Sequence, residues 1–379
     1  MTAVAPTAAI QLPSWAWAVA GHGLAATAPI DRRDLDLSLA LEQGLAGLLA
    51  AADRDGALAL APGERARLDQ HLAREAELAL RLEAELLRLA PVLARHGGVV
   101  LKGPALAHAA YPDPAVRPFT DLDLLVAPAS IPRVLRDLGR LGYERPRPDP
   151  TPTYAARVAK ATALVHPAGL VVDLHRTVTP GHHGHGIDVL GLLADRIEVA
   201  AGPVPVPAPS WEAHLVVVAL HAVIGDHLGR ARSVRDVAQV ALRPGLDAEA
   251  AAGLAVRWGA EVPLAVALRT AAERFDVILP PPLAHLASTA APVAVADADA
   301  DAGRHRPASP SSASADRRLT ELRRASGGLR SSAALWRSLV APSPAFLRWT
   351  YGDASLPELY LRRWRDLGRR RAQAHGGSR

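Results

Sequence analysis

Asp121 and Asp123 stand two residues apart in Thr120-Asp121-Leu122-Asp123-Leu124-Leu125-Val126, and their type and spacing suit chemistry. Side chains alternate across a strand, so both carboxylates leave one face while Leu122, Leu124 and Val126 leave the other. Neighbouring carboxylates repel, and a bound divalent cation is the usual remedy. A third carboxylate, Asp173 in Leu170-Val171-Val172-Asp173-Leu174-His175, shares a strand face with Val171 and His175. It would complete a two-metal site, whose ions lie about 3.5–4 Å apart, and there it could polarise an attacking hydroxyl.

The chemistry upstream is that of phosphate. Val99–Lys102 reads as a short strand running into Gly103 and Pro104. Glycine lets a backbone approach a ligand, proline suits the first helical position, and the free N–H groups of the helix Pro104–Ala110 would face an anion. Lys102 is either a point charge for a phosphate or a strand-end charge. Arg117 is either a planar clamp on one or a loop salt bridge. Tyr111 can stack on a base or fill the loop. His175 either joins the site or partners a carboxylate.

The elements that must position these residues follow from periodicity. Apolar spacing predicts helices over Asp34–Ala52 and Pro62–Leu93, the second closed by Gly97-Gly98. Strands are expected over Val99–Lys102 and Asp121–Val126, and a helix over Ile131–Leu141. A hairpin of Thr162–His166 and Leu170–His175 should turn at Pro167-Ala168-Gly169. Helical period returns at Trp211–Ile224, Ser233–Leu242, Ala248–Trp258 and Val262–Phe275. The expected fold class is α+β, a small mixed sheet between helical regions. The divisions are 1–96 helical, 97–200 the α/β core, 201–289 helical, 290–316 a disordered linker and 317–379 a basic, partly helical tail.

Composition narrows the function classes. There are no cysteines, so thiolate metal sites and disulfides are excluded and a cytoplasmic location is expected. The longest uncharged run, near Val216, is too short to span a bilayer. The net charge of +5 is uneven: residues 304–379 hold sixteen arginines against five acidic residues, leaving 27 basic and 33 acidic residues before them. That tail, with Arg369-Arg370-Arg371 near Trp364 and Tyr360, offers a surface for nucleic acid, against which stands a solvated terminus. Lys102 and Lys160 are the only lysines. Gly181-His182-His183-Gly184-His185-Gly186 lacks the fixed geometry a metal needs. His221, Asp226 and His227 are in the wrong order for a His-Asp phosphohydrolase and read as structural. There is no Walker loop and no Gly-x-Gly-x-x-Gly.

Taken in order, Leu101-Lys102-Gly103-Pro104-Ala105-Leu106, Tyr111-Pro112-Asp113-Pro114, Arg117-Pro118, Thr120–Val126 and Val172-Asp173-Leu174-His175 resemble the uncharacterised nucleotidyltransferase family of the DNA polymerase β-like superfamily. Weaker matches follow at Ala219-Leu220-His221-Ala222 and Arg235-Asp236-Val237-Ala238, so the resemblance spans about Leu82–Leu242. It implies transfer of a nucleoside monophosphate from an NTP to a hydroxyl of a small molecule or protein, releasing pyrophosphate. It implies Mg²⁺, with Mn²⁺ as the substitute, on Asp121, Asp123 and Asp173, and nucleotide contacts from Lys102, Gly103 and Arg117. Pro104 departs from the serine or glycine that better-characterised superfamily members carry, and offers neither hydroxyl nor N–H. That departure is what a nucleotide-sensing or partner-binding module without turnover would tolerate.

Overall fold

The computed structural model describes residues 12–24, 29–201, 204–290 and 336–376. A four-stranded sheet is built from β1 (Val99–Val100), β2 (Leu122–Leu125), β3 (Ala161–Val165) and β4 (Val171–His175), in the order β1-β2-β4-β3. β2 and β4 run parallel with Asp123 opposite Asp173 and Leu125 opposite His175, while β1 and β3 pair antiparallel on either side. The fold is mixed α+β, as the periodicity predicts. β3 and β4 form the expected hairpin, with Gly169 in the left-handed region at φ 81.

The two faces of this sheet meet different partners. Leu122, Leu124, Val126, Val172 and Leu174 pack against Leu82, Leu86, Leu89 and Leu93 of the long helix α1 (Pro62–His96), with Val134 and Leu138 beside them. Val99, Leu101 and Leu125 belong instead to a core shared with α3 (Trp211–Leu220) and α4 (Ala231–Ala241). Between β1 and β2 the chain makes the short helix α2 (Pro104–Ala109). Every residue of α3 from Ala213 to Leu220 is buried, because a helix apolar all round must be covered all round. His214 ties α3 to the sheet: its Nε2 lies 2.9 Å from the Leu101 carbonyl. Asp123 and Asp173 share the face that α3 and α4 cover, on the part those helices leave polar.

Several elements differ from the sequence expectation. The helix expected over Asp34–Ala52 breaks into Leu37–Glu42 and Ala46–Arg54, because Gly44 turns left-handed at φ 67. The proline-rich stretch after residue 203 is strand β6 (Val204–Ala208), paired antiparallel with β5 (Ile197–Ala201). Pro205 and Pro207 alternate along it, so their missing N–H groups fall on one edge. The histidine-rich loop is a short helix, Gly181–Gly186. α3 ends at Leu220 and continues as a π-helical turn, His221–Gly225. Residues 291–316 of the expected linker and 317–335 of the tail lie outside the described residues. The described part of the tail includes helix α5 (Leu356–Gly376). Among the described residues no helix is long and apolar enough to cross a membrane.

Candidate metal centre

The parallel register of β2 and β4 brings Asp123 and Asp173 side by side, and His175 follows two residues on along the same face. Ligand atoms of Asp123, Asp173 and His175 all lie within 4.8 Å of one another. Asp123 is buried at 5% exposure and His175 at 1%, and Asp173 is half-buried. His175 Nε2 sits 2.7 Å from Asp123 Oδ1, and its Nδ1 lies 3.1 Å from the Thr177 carbonyl. Both neighbours offer the ring an acceptor oxygen. Lys102 Nζ lies 3.0 Å from the other oxygen, Asp123 Oδ2.

These contacts set the electrostatics. Burial disfavours a charged Asp123, but the Lys102 ammonium and then His175 outweigh it and hold the carboxyl well below the usual carboxylate range. Asp121 shifts the other way: burial first, then repulsion from Asp123, pushes its carboxyl up against the pull of Lys102. Asp121 is therefore within electrostatic reach of the group without belonging to the three whose ligand atoms converge. Crowded carboxylates with one pKa raised and one lowered are what a cation would relieve. Two carboxylates and an imidazole suit Mn²⁺ as well as Mg²⁺, since an imidazole is a better ligand for manganese than for magnesium. The residues present fit a divalent cation.

The phosphate half of the sequence expectation takes a different form. Arg117 is 6% exposed and its fork is closed on Asp236 of α4, Nε to Oδ1 at 3.0 Å and Nη2 to Oδ2 at 2.8 Å. Its Nη1 donates to the Gly103 carbonyl at 3.3 Å. In this arrangement Arg117 fastens the glycine turn and is not an open phosphate clamp. Tyr111 is buried and donates to Asp236 Oδ1 at 2.7 Å, so it is loop packing and not a base platform. The first turn of α2 is buried, and the Ala105 and Ala107 N–H groups donate to the Lys102 and Gly103 carbonyls. The expected row of free N–H groups is therefore partly consumed inside the turn. Gly103 sits at φ 56, ψ −120 with the Asp121 carbonyl 3.5 Å from where a Cβ would stand; conformation, not space, calls for glycine.

Two participants carry signals that are easy to pass over. Lys160, just before β3, is close enough for its charge to act on His221, as does that of Lys102. Both lysines of an arginine-rich chain thus act on the same histidine. Asp236 lies inside a recognised motif, but its role as the anchor of Arg117 and Tyr111 depends on a contact more than a hundred residues away in sequence. No curated protein matches the chain. Residues 32–276, well over half of it, match the family profile described as Uncharacterised nucleotidyltransferase, and they contain the sheet, the acidic group and the helices that cover it: the chain belongs to that family.

Proposed function

We propose that the protein is a divalent-metal-dependent nucleotidyltransferase that moves a nucleoside monophosphate from an NTP to a hydroxyl of a small molecule or of a protein side chain. The observation that carries this reading is the convergence of Asp123, Asp173 and His175 within 4.8 Å on paired parallel strands. Asp123 and Asp173 would hold Mg²⁺ or Mn²⁺, with Asp121 beside them, and His175 would orient Asp123 through the bond it already makes. A bound cation would neutralise negative charge on the phosphates as it develops. Lys102, already paired with Asp123 at 3.0 Å, adds a positive charge beside the carboxylates. Gly103, pinned by Arg117 and Asp236, fixes the path of the backbone between Lys102 and α2.

The reaction joins the acceptor oxygen to the α-phosphorus and breaks the bond from that phosphorus to pyrophosphate. The test is incubation with α-labelled NTPs and Mg²⁺ or Mn²⁺, with Asp123→Asn as control. We expect pyrophosphate release and label transfer from the native chain, and loss of both by at least a hundredfold in the variant. Transfer that survives Asp123→Asn removes the site from the proposal.

A second reading, nucleotide sensing without turnover, draws on the closed α2 turn and the Lys102–Asp123 pair. Under it, calorimetry would record NTP binding while no product forms with any acceptor pool.

A further inference from the structure

The metal centre makes no use of the basic tail, which is nonetheless a built surface. Among the described residues twelve large apolar side chains are exposed, and six of them fall within residues 336–364. Single exposed apolar residues need no explanation, but their concentration on one element does. Helix α5 is fixed to the chain before it by three hydrogen bonds. The Tyr360 hydroxyl donates to the Pro342 carbonyl at 2.8 Å, Arg363 Nε to the Leu339 carbonyl at 3.0 Å, and Trp364 Nε1 to the Val340 carbonyl at 2.9 Å. Leu347 of the helix Pro344–Tyr351 and Leu359 of α5 are fully buried. The Ser343 N–H donates to the Pro150 carbonyl at 2.7 Å and fastens the unit to the body.

The outward side of α5 carries two adjoining strips. Leu361 and Trp364 stand one turn apart, 45% and 51% exposed, and Val340, whose carbonyl Trp364 binds, is 42% exposed. Together they form an apolar ridge. Beside it Arg362, Arg365 and Arg369 follow one another at spacings of three and four residues, and so share a face. With Thr350 and Tyr351 these arginines line a cleft of about 740 Å³ between the helix Pro344–Tyr351 and α5. Arg362 is paired with Glu358 at 2.6 Å, whereas Arg365 and Arg369 form no ion pair among the described residues.

We propose that this face docks the protein on an anionic lipid surface, with the ridge at the boundary of headgroups and acyl chains and the arginine strip against lipid phosphates. The inference is independent of the nucleotidyl-transfer reading. Charge sets the sign of the partner: α5 holds six arginines against two acidic residues. Nucleic acid would satisfy that charge as well, but Leu361 and Val340 have no ring to stack on a base and gain nothing from one. They gain from an apolar layer. Trp364 can enter such a layer without stranding a donor, because the Val340 carbonyl already takes its N–H. An amphipathic helix that lies in the interface needs neither the length nor the uniform apolarity of a spanning helix, and no described helix has both.

The experiment is co-sedimentation of the full chain with vesicles of pure phosphatidylcholine and with vesicles containing about 30% phosphatidylglycerol, at about 0.1 M salt. The native chain should bind the anionic vesicles about tenfold or more tightly than the neutral ones, and raising the salt should loosen it. Arg365→Gln/Arg369→Gln should weaken that binding about tenfold. Leu361→Gln, which removes no charge and no hydrogen bond, should weaken it several-fold at every salt concentration. Both variants change exposed side chains, so their melting temperatures should match that of the native chain. Equal binding to the two kinds of vesicle, or binding to neither, overturns the proposal. So does a Leu361→Gln chain that binds as the native one does, since attraction by charge alone would survive that change. A labelled single-stranded oligonucleotide that the native chain binds, and that anionic vesicles fail to displace, assigns the surface to nucleic acid and overturns the lipid assignment.

Discussion

At Asp123 three demands meet on one carboxylate: Lys102 takes one oxygen, His175 the other, and Asp173 stands beside it in register. Lys102 is thus a competitor for any cation, since it neutralises the charge the cation would seek. Removing it should leave Asp121, Asp123 and Asp173 more strongly repelling and the metal more strongly held. We expect Lys102→Met to tighten Mn²⁺ binding several-fold in the absence of nucleotide, measured by calorimetry, and to weaken NTP affinity. Weaker Mn²⁺ binding in the variant would show that Lys102 organises the carboxylates and does not compete for them. The pairing of Asp123 with Asp173 was legible because strand alternation puts both on a predictable face. The identity of the third converging side chain was less so. The sequence expectation set Asp121 beside Asp123 and Asp173 and left His175 open between site and structural partner. The parallel register brings His175 into the group, and a register between strands fifty residues apart has no local signal.

At the scale of elements, the turn between β1 and β2 is fixed from a distance. Arg117 and Tyr111 leave that connection and both end on Asp236 of α4, while Arg235 beside it donates to the Ala20 and His22 carbonyls of the N-terminal segment. Burial alone would raise the Asp236 carboxyl, but Arg117 outweighs it and holds it low, so the pair is ionised inside the core. Breaking one member of such a pair strands the other, at about 3–5 kcal/mol, whereas replacing both with apolar residues costs far less. Asp236→Leu should therefore unfold well below the native denaturant midpoint, and Arg117→Met/Asp236→Leu should recover much of the difference. Equal losses in single and double variants would show that the buried charge is not what the fold protects. Regular helices such as Pro62–His96 were readable from apolar spacing, and so was the β3–β4 hairpin from its turn residues. The β5–β6 hairpin was not, because Pro205 and Pro207 argue against a strand and only the edge position makes them tolerable. The π-helical turn after Leu220 was invisible for a related reason: it adds one residue to a turn without changing the apolar pattern.

Across the whole molecule, the helical unit after residue 210 is joined to the sheet through a fully buried imidazole. His214 is 0% exposed, stacks on Trp211 at 5.2 Å between ring centres, and donates to the Leu101 carbonyl. Burial brings its pKa from the ordinary 6.5 down to about 4, the Leu101 bond opposing only in part. Because the folded value lies below the unfolded one, the unfolded chain binds a proton first. Stability is complete above about pH 6.5 and falls as pH drops toward 4. A shift of this size corresponds to about 3 kcal/mol at the acid end. His221 is brought down to about 4 as well, by burial and then by Lys102, so it adds to the same window. Urea titrations between pH 7 and pH 4.5 should show the native chain losing stability steadily, well before its carboxylates are neutralised. His214→Gln keeps an N–H for the Leu101 carbonyl and cannot take up a proton, so its stability should vary much less over that range even if it starts lower at pH 7. Parallel curves for the native chain and His214→Gln would mean that acid acts elsewhere, and that α3 is held to the sheet by packing alone. A curve flattened to the part left by His221 would instead identify the His214 imidazole as an acid-sensitive joint between α3 and the sheet carrying the carboxylates.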